Sequence, residues 1–169
     1  MQPAAVKRPG YTMVMVGGVS KHFLWDNTQV LAQLEQIFAK HPQVRLTDSR
    51  RTPAALRVTL AARWPVEYQP WEQCPPGWLA NELALAENAW VTEDSVSMIY
   101  EALTAGCAVG LLGLQRPVGK PGRLVRGIED IKKKKTLCKY PGALVSHRDG
   151  RAALAEASRV AEILWGARA

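Results

Sequence analysis

Short, unbroken apolar runs alternate along this chain with segments of helical periodicity, and that alternation leaves few folds open. Tyr11-Thr12-Met13-Val14-Met15-Val16 is the first such run and Cys107-Ala108-Val109-Gly110-Leu111-Leu112 the last. A strand that is apolar on both faces must be covered on both faces, which is the situation of a parallel sheet. Between these two lie strand-like stretches at Val44-Arg45-Leu46-Thr47-Asp48, at residues 64–68 and at Asn88-Ala89-Trp90-Val91-Thr92. Helical spacing runs over residues 29–40, after the N-cap types Asp26, Asn27 and Thr28, with Val30, Leu31, Leu34, Ile37 and Phe38 on one stripe. A second helix is predicted over 53–64, with Thr52 as N-cap and Pro53 at the first helical position. Others are predicted over 78–86, over 95–105 with Gly106 as a left-handed stop, over the basic amphipathic stretch Arg123 to Lys135, and over 150–165.

Strands alternating with helices, joined by right-handed crossovers, predict an α/β three-layer, Rossmann-like domain. Its parallel sheet should hold about five strands in the order 3-2-1-4-5. A chain of 169 residues is long enough for one full core. Residues 1–10, with Pro3, Pro9 and Gly10 and no periodicity, read as a leader or linker, and 11–169 as a single domain. No apolar run is long enough to span a bilayer, and the N-terminus lacks a signal-peptide core, so a cytoplasmic protein is expected. Cys74, Cys107 and Cys138 have neither metal-ligand nor redox spacing, and His41 and His147 have no such neighbours in sequence. Reduced thiols and no metal site follow. The formal charge of +7 suggests an anionic partner, though much of the excess is the run Lys132-Lys133-Lys134-Lys135.

In a doubly wound sheet, ligands bind beyond the carboxyl ends of the strands, at the switch between strands 1 and 4. Gly17-Gly18-Val19-Ser20 follows strand 1, and Thr92-Glu93-Asp94-Ser95 follows strand 4. Glycines there let backbone N–H groups approach a phosphate, with Ser20, Lys21 and His22 close behind. The spacing is neither the dinucleotide fingerprint nor a Walker loop, which weakens Asp48 as a ribose ligand for NAD. Ser95 opens a helix whose first N–H groups lack intrahelical partners and attract anions. Asp94, Ser97 and Glu101 are spaced to share one face of that helix, opposite Val96, Ile99 and Leu103. Ser49-Arg50-Arg51-Thr52 puts two guanidinium forks and two hydroxyls at a third strand end. The plain alternative for each loop is an ordinary turn or a well-capped helix; three polar loops on one sheet edge are what raise the functional reading. The basic segment Arg123 to Lys135 is a solvated face, the commoner outcome, or a contact with an anionic membrane surface or nucleic acid. The six tryptophans are scattered and read as core or loop anchors, not as a base-stacking platform for nucleic acid.

Val91-Thr92-Glu93-Asp94-Ser95-Val96-Ser97-Met98-Ile99-Tyr100-Glu101-Ala102, with Gly106 and Val109 beyond, resembles the signature of the family named for the plant "elongated mitochondria" fission protein. Bacterial members of that family are described as glycosyltransferase-like. Gly17 to His22 followed by Trp25-Asp26, and Thr47 to Pro53, resemble its first and second loops, although Val19 stands where the family's loop has proline. More distantly, the layout is similar to the donor-binding half of GT-B glycosyltransferases. The resemblance implies a nucleoside-diphosphate sugar as substrate and no cofactor. It implies that Gly18, Ser20, Ser95 and Ser97 lie near the diphosphate and Glu101 near the ribose; Gly17, Lys21, Ser49, Arg50, Arg51, Thr52 and Asp94 complete the expected nucleotide-sugar-binding set. His22 is the first residue to test for a part in chemistry. It also implies an N-terminal acceptor domain that this chain lacks, so binding without turnover is expected. The other readings are a Rossmann-like interaction module without activity, a nucleotide-sugar epimerase-like domain and, last, an NAD-dependent oxidoreductase.

Overall fold

The computed structural model describes residues 6–119, 122–133 and 138–139. The helix expected over 150–165, His147 and the start of the presumed leader lie outside the described residues. The strands are β1 (Arg8–Met15), β2 (Gln43–Thr47), β3 (Tyr68–Gln69), β4 (Ala86–Thr92), β5 (Ala108–Leu112) and β6 (Cys138–Lys139). The helices are α1 (Asn27–Lys40), α2 (Ala54–Arg63), α3 (Trp78–Leu85), α4 (Val96–Thr104) and α5 (Arg123–Lys133). All strand pairs are parallel, in the order β3-β2-β1-β4-β5-β6. The expected α/β three-layer order is therefore present, with a sixth, two-residue strand added after the basic helix.

Right-handed crossovers, with the direction of travel reversing after β3, put α1 and α2 on one face and α3 and α4 on the other. Phe38 of α1 stacks on Trp64 at the end of α2, ring centroids 4.3 Å apart. Met13, Val14, Met15, Leu46, Val91, Val109 and Leu111 are fully buried between the layers. Apolar runs on β1, β4 and β5 have this cause: each of these strands has helices above and below.

Three local expectations are corrected. First, residues 8–10 are not linker. Strand β1 begins at Arg8, pairs with Ala86, and shifts register before Thr12 meets Asn88. Gly10 sits in the shift at φ +77°, and its N–H donates to Glu87 Oε2 at 2.6 Å. Pro9-Gly10 looks like punctuation in sequence, but here it makes the bulge of a strand. Lys7 is also committed: its Nζ donates to Leu83 O at 2.8 Å and Ala105 O at 2.7 Å. These carbonyls belong to the C-terminal ends of α3 and α4, where backbone acceptors have no helical partner and a cation is favoured. Lys7→Met should lower stability by about 2 kcal/mol in urea unfolding, because it strands two part-buried carbonyls; a loss under about 0.5 kcal/mol, the scatter of surface substitutions, would show that Lys7 is only a tether. Second, the third strand is shorter and later than residues 64–68. Trp64 N–H still bonds Leu60 O, and Tyr68 N–H bonds Trp64 O at 2.9 Å, so the intervening residues turn. Third, Thr52 is not the N-cap of α2. Pro53 holds that position without a side-chain cap, and the Thr52 hydroxyl is used elsewhere.

Candidate functional site

Three loops leave the carboxyl ends of β1, β2 and β4 and lock into one another. The Gly17 N–H donates to Thr92 Oγ1 at 2.7 Å, the Gly18 N–H to Asp94 Oδ2 at 2.9 Å, and the Val19 N–H to Arg51 O at 3.2 Å. The Thr52 hydroxyl donates to Gly17 O and accepts from Ser49 N–H at 3.0 Å. Arg51 Nη1 lies 2.9 Å from Asp94 Oδ2 and 3.3 Å from the carbonyls of Gly18 and Val19. Burial raises the pKa of Asp94, against the Gly18 N–H, the Thr92 hydroxyl and the Arg51 guanidinium, which all lower it. Those donors offset part of the burial that disfavours its charged form.

This clasp overturns the expectation that Gly17 and Gly18 open their backbone to a phosphate. A Cβ on Gly17 would sit 2.2 Å from Asp94 Oδ2, and one on Gly18 would sit 1.9 Å from Arg51 O. The glycines are required by the protein's own neighbouring loops. The N–H groups of residues 17, 18 and 19 are all spent internally. Thr92, Glu93, Asp94 and Ser95 are at most 7% exposed. The cleft expected between β1 and β4 is thus filled, and Gly17, Gly18, Arg51, Thr52 and Asp94 are its filling. Asp94 also does not share the α4 face with Ser97 and Glu101, since it precedes the helix and turns back to the glycines.

Two hollows flank the clasp. On the β2 side lies a cavity of about 300 Å³, lined by Ser49, Arg50, Trp71, Trp78, Leu79 and Met98 among others. The Arg50 guanidinium lies 5.3 Å from the centre of the Trp71 ring, a cation–π contact. Its floor is held by Asp48, which accepts from Arg57 Nε and Tyr68 Oη at 2.6 Å and from Trp71 N–H at 2.9 Å. Burial and the bond to Asp48 push the Tyr68 phenol up to about 12. With three donors engaged, Asp48 is a wall-builder and not a ribose ligand. Met98 ties this cavity to the first turn of α4. At that turn Ser95 is the N-cap residue but its side chain caps no N–H, and Ser97 is exposed. The tip of α4 therefore presents first-turn amides and the exposed Ser97 hydroxyl beside an aromatic cavity, while Ser95 is buried and its N–H donates to Thr92 O at 3.1 Å.

On the β5 side lies a cavity of about 360 Å³, lined by Lys21, His22, Arg116, Val118, Gly122 and Val125 among others. Ser20 accepts the His22 N–H at 3.3 Å, which shapes the loop that carries them. Glu101 reaches neither cavity lining. It lies one turn along α4 from Ser97, in the groove that α4 makes with α3, beside Leu83, Tyr100 and Thr104. Burial alone raises its pKa.

A family model described as Mitochondrial fission ELM1 matches residues 3–167. The chain belongs to that family. No curated protein matches it. Among solved structures it is similar to the crystal structure of the cypemycin decarboxylase CypD, at 17% identity and a TM-score of 0.46, over 96% of this chain and 99% of that one.

The geometry divides the expected ligand residues of this ELM1-family chain into three groups. Arg50, Ser49, Ser95 and Ser97 surround the tryptophan cavity and the α4 tip. Lys21 and His22 belong to the opposite cavity. Gly17, Gly18, Arg51, Thr52 and Asp94 are structural. Sequence reasoning missed Trp71, Trp78 and Met98, because Gln69 to Gly77 reads as a proline loop and its tryptophan as an anchor. The available signal was two tryptophans bracketing Pro75-Pro76 just after β3, on the same sheet edge as Arg50. Among the described residues, no cluster of His, Cys, Asp and Glu is arranged to hold a metal ion.

Proposed function

We propose that this ELM1-family chain binds a nucleoside diphosphate, as the donor-sugar carrier of a glycosyltransferase-type reaction. One observation carries the reading: a cavity lined by Trp71 and Trp78 adjoins, through Met98, the N-terminus of α4, where Ser95 makes no side-chain cap. A planar base suits the aromatic cavity, with Arg50 at its rim, and a diphosphate suits the first-turn amides of α4 and the exposed Ser97 hydroxyl. In sugar transfer the bond between the anomeric carbon and the diphosphate oxygen breaks as an acceptor oxygen bonds that carbon. The departing diphosphate takes up the negative charge, and the α4 tip would stabilise it. The acceptor and its base are assigned to a partner domain.

A ligand of the folded state raises the melting temperature in proportion to its occupancy. UDP, GDP, ADP and NAD are therefore to be compared by thermal shift on the full chain. One nucleoside diphosphate should stabilise it at millimolar concentration, and Arg50→Ala and Trp78→Ala should each cut affinity about tenfold, the equivalent of ~1.4 kcal/mol. Glu101→Gln separates the ribose expectation: an unchanged shift would leave Glu101 to its groove. If no nucleotide shifts the melt, the interaction-module reading takes over. That second reading is favoured by the internal use of the N–H groups of Gly17, Gly18 and Val19.

A further inference from the structure

We propose that the cavity on the β5 side is a second, independent anion site, which takes the phosphate headgroup of an acidic lipid and seats this edge of the protein on a membrane surface. The inference does not depend on the nucleotide reading, because the buried clasp stands between the two cavities. Lys21, which is exposed, and Arg116 give the lining two cations, with half-buried His22 beside them and no acidic residue among the cavity-forming side chains. Behind the lining, Arg116 pairs with Glu129 of α5, and its Nη2 lies 3.8 Å from the buried Glu93 Oε2. That anchors Arg116 at the cavity without filling the cavity. Gly122 and Val125 bring the positive end of α5 to the same hollow, and Arg123 and Arg126 are exposed beside it.

What selects a lipid over a free phosphate is the apolar rim. Val19 is 58% exposed, Leu24 is 50% exposed and Val118 is fully exposed. Val19 and Leu24 flank the small bridge between Ser20 and Phe23, and the Leu24 N–H donates to Gln115 O at 2.8 Å, tying this loop to the one carrying Val118. Val118 thus lines the hollow, and Val19 and Leu24 stand exposed on the loop that carries Lys21 and His22. Free phosphate has no use for them. A bilayer interface does, since apolar tips enter the acyl boundary while cations meet the headgroups. Among the described residues, no helix is long and apolar enough to cross a membrane.

Flotation of the full chain with phosphatidylcholine vesicles, with and without about a fifth of phosphatidic acid, tests the assignment. The protein should float with the acidic vesicles alone. Lys21→Glu should weaken that binding at least about tenfold, as should the pair Leu24→Asp and Val118→Asp, with the thermal melt unchanged. All three positions are exposed, and Lys21→Gln with Val118→Ser serves if a charge reversal impairs folding. Three results would overturn the proposal. One is no binding to acidic vesicles. Another is binding that survives the site variants but is lost when Lys132 to Lys135 are neutralised, which would make the lysine run the whole effect. The third is wild-type vesicle binding by the apolar-rim variant together with full competition by inorganic phosphate, which would leave a free-phosphate site.

Discussion

Gly18→Ala is expected to lower stability by more than about 4 kcal/mol, enough to leave much of a marginally stable domain unfolded at body temperature. The new methyl would sit 1.9 Å from Arg51 O and 2.1 Å from Arg51 C. These are backbone atoms of a loop already bonded at Val19 N–H and Thr52, so they cannot swing away. Gly106→Ala is the control. Gly106 has φ +80° and nothing within 4 Å of its would-be Cβ. Its substitution carries only the left-handed penalty of about 1–2 kcal/mol. Urea unfolding of the two variants side by side decides the matter: equal midpoints would mean that Gly18 is a flexible loop residue and not a crossing point of two chains.

Asp94→Ala should cost about 3 kcal/mol at neutral pH. It leaves the buried Gly18 N–H without an acceptor and Arg51 without its carboxylate. Arg51→Ala should cost less, because the Arg51 side chain is 43% exposed and keeps water as a partner in the unfolded and folded states alike. The double variant should be less destabilised than the sum of the two single losses, since both act through one contact. Additive losses would show that the two residues support the loops separately. The same variants bear on function, because the clasp sets where β4 ends and hence where the α4 tip points. Asp94→Ala should therefore weaken any nucleotide-induced thermal shift without touching the tryptophan cavity.

The order of elements was legible in the chain, and so was the edge on which the polar loops gather. Hydrophobic runs at 11–16, 44–48, 88–92 and 107–112 can be read as buried parallel strands because each side chain reports its own burial. The roles within the loops were not legible. Arg50 and Arg51 are adjacent and chemically identical, yet one rests on Trp71 and the other ties three loops together. Gly17-Gly18 is compatible equally with an approaching phosphate and with an approaching neighbour loop, because both need only the absence of a Cβ. Lys7 carried no periodic signal at all, since its partners are carbonyls at the ends of two helices far along the chain.

Apolar periodicity by itself thus determined that this protein is a parallel α/β layer structure, that its polar loops converge at one sheet edge, and that the stretch from Val91 to Gly106 is a strand, a turn and a helix. These are properties of local burial and backbone preference, which are written residue by residue. Only the tertiary structure decided that Asp94 turns inward to Gly18 while Ser97 stays outside, that the central cleft is closed, and that the open hollows lie on either side of it. Those outcomes depend on which donors and acceptors from distant loops meet at 2.7 to 3.2 Å, and a hydrogen bond between residues some 75 positions apart leaves no mark on either segment alone.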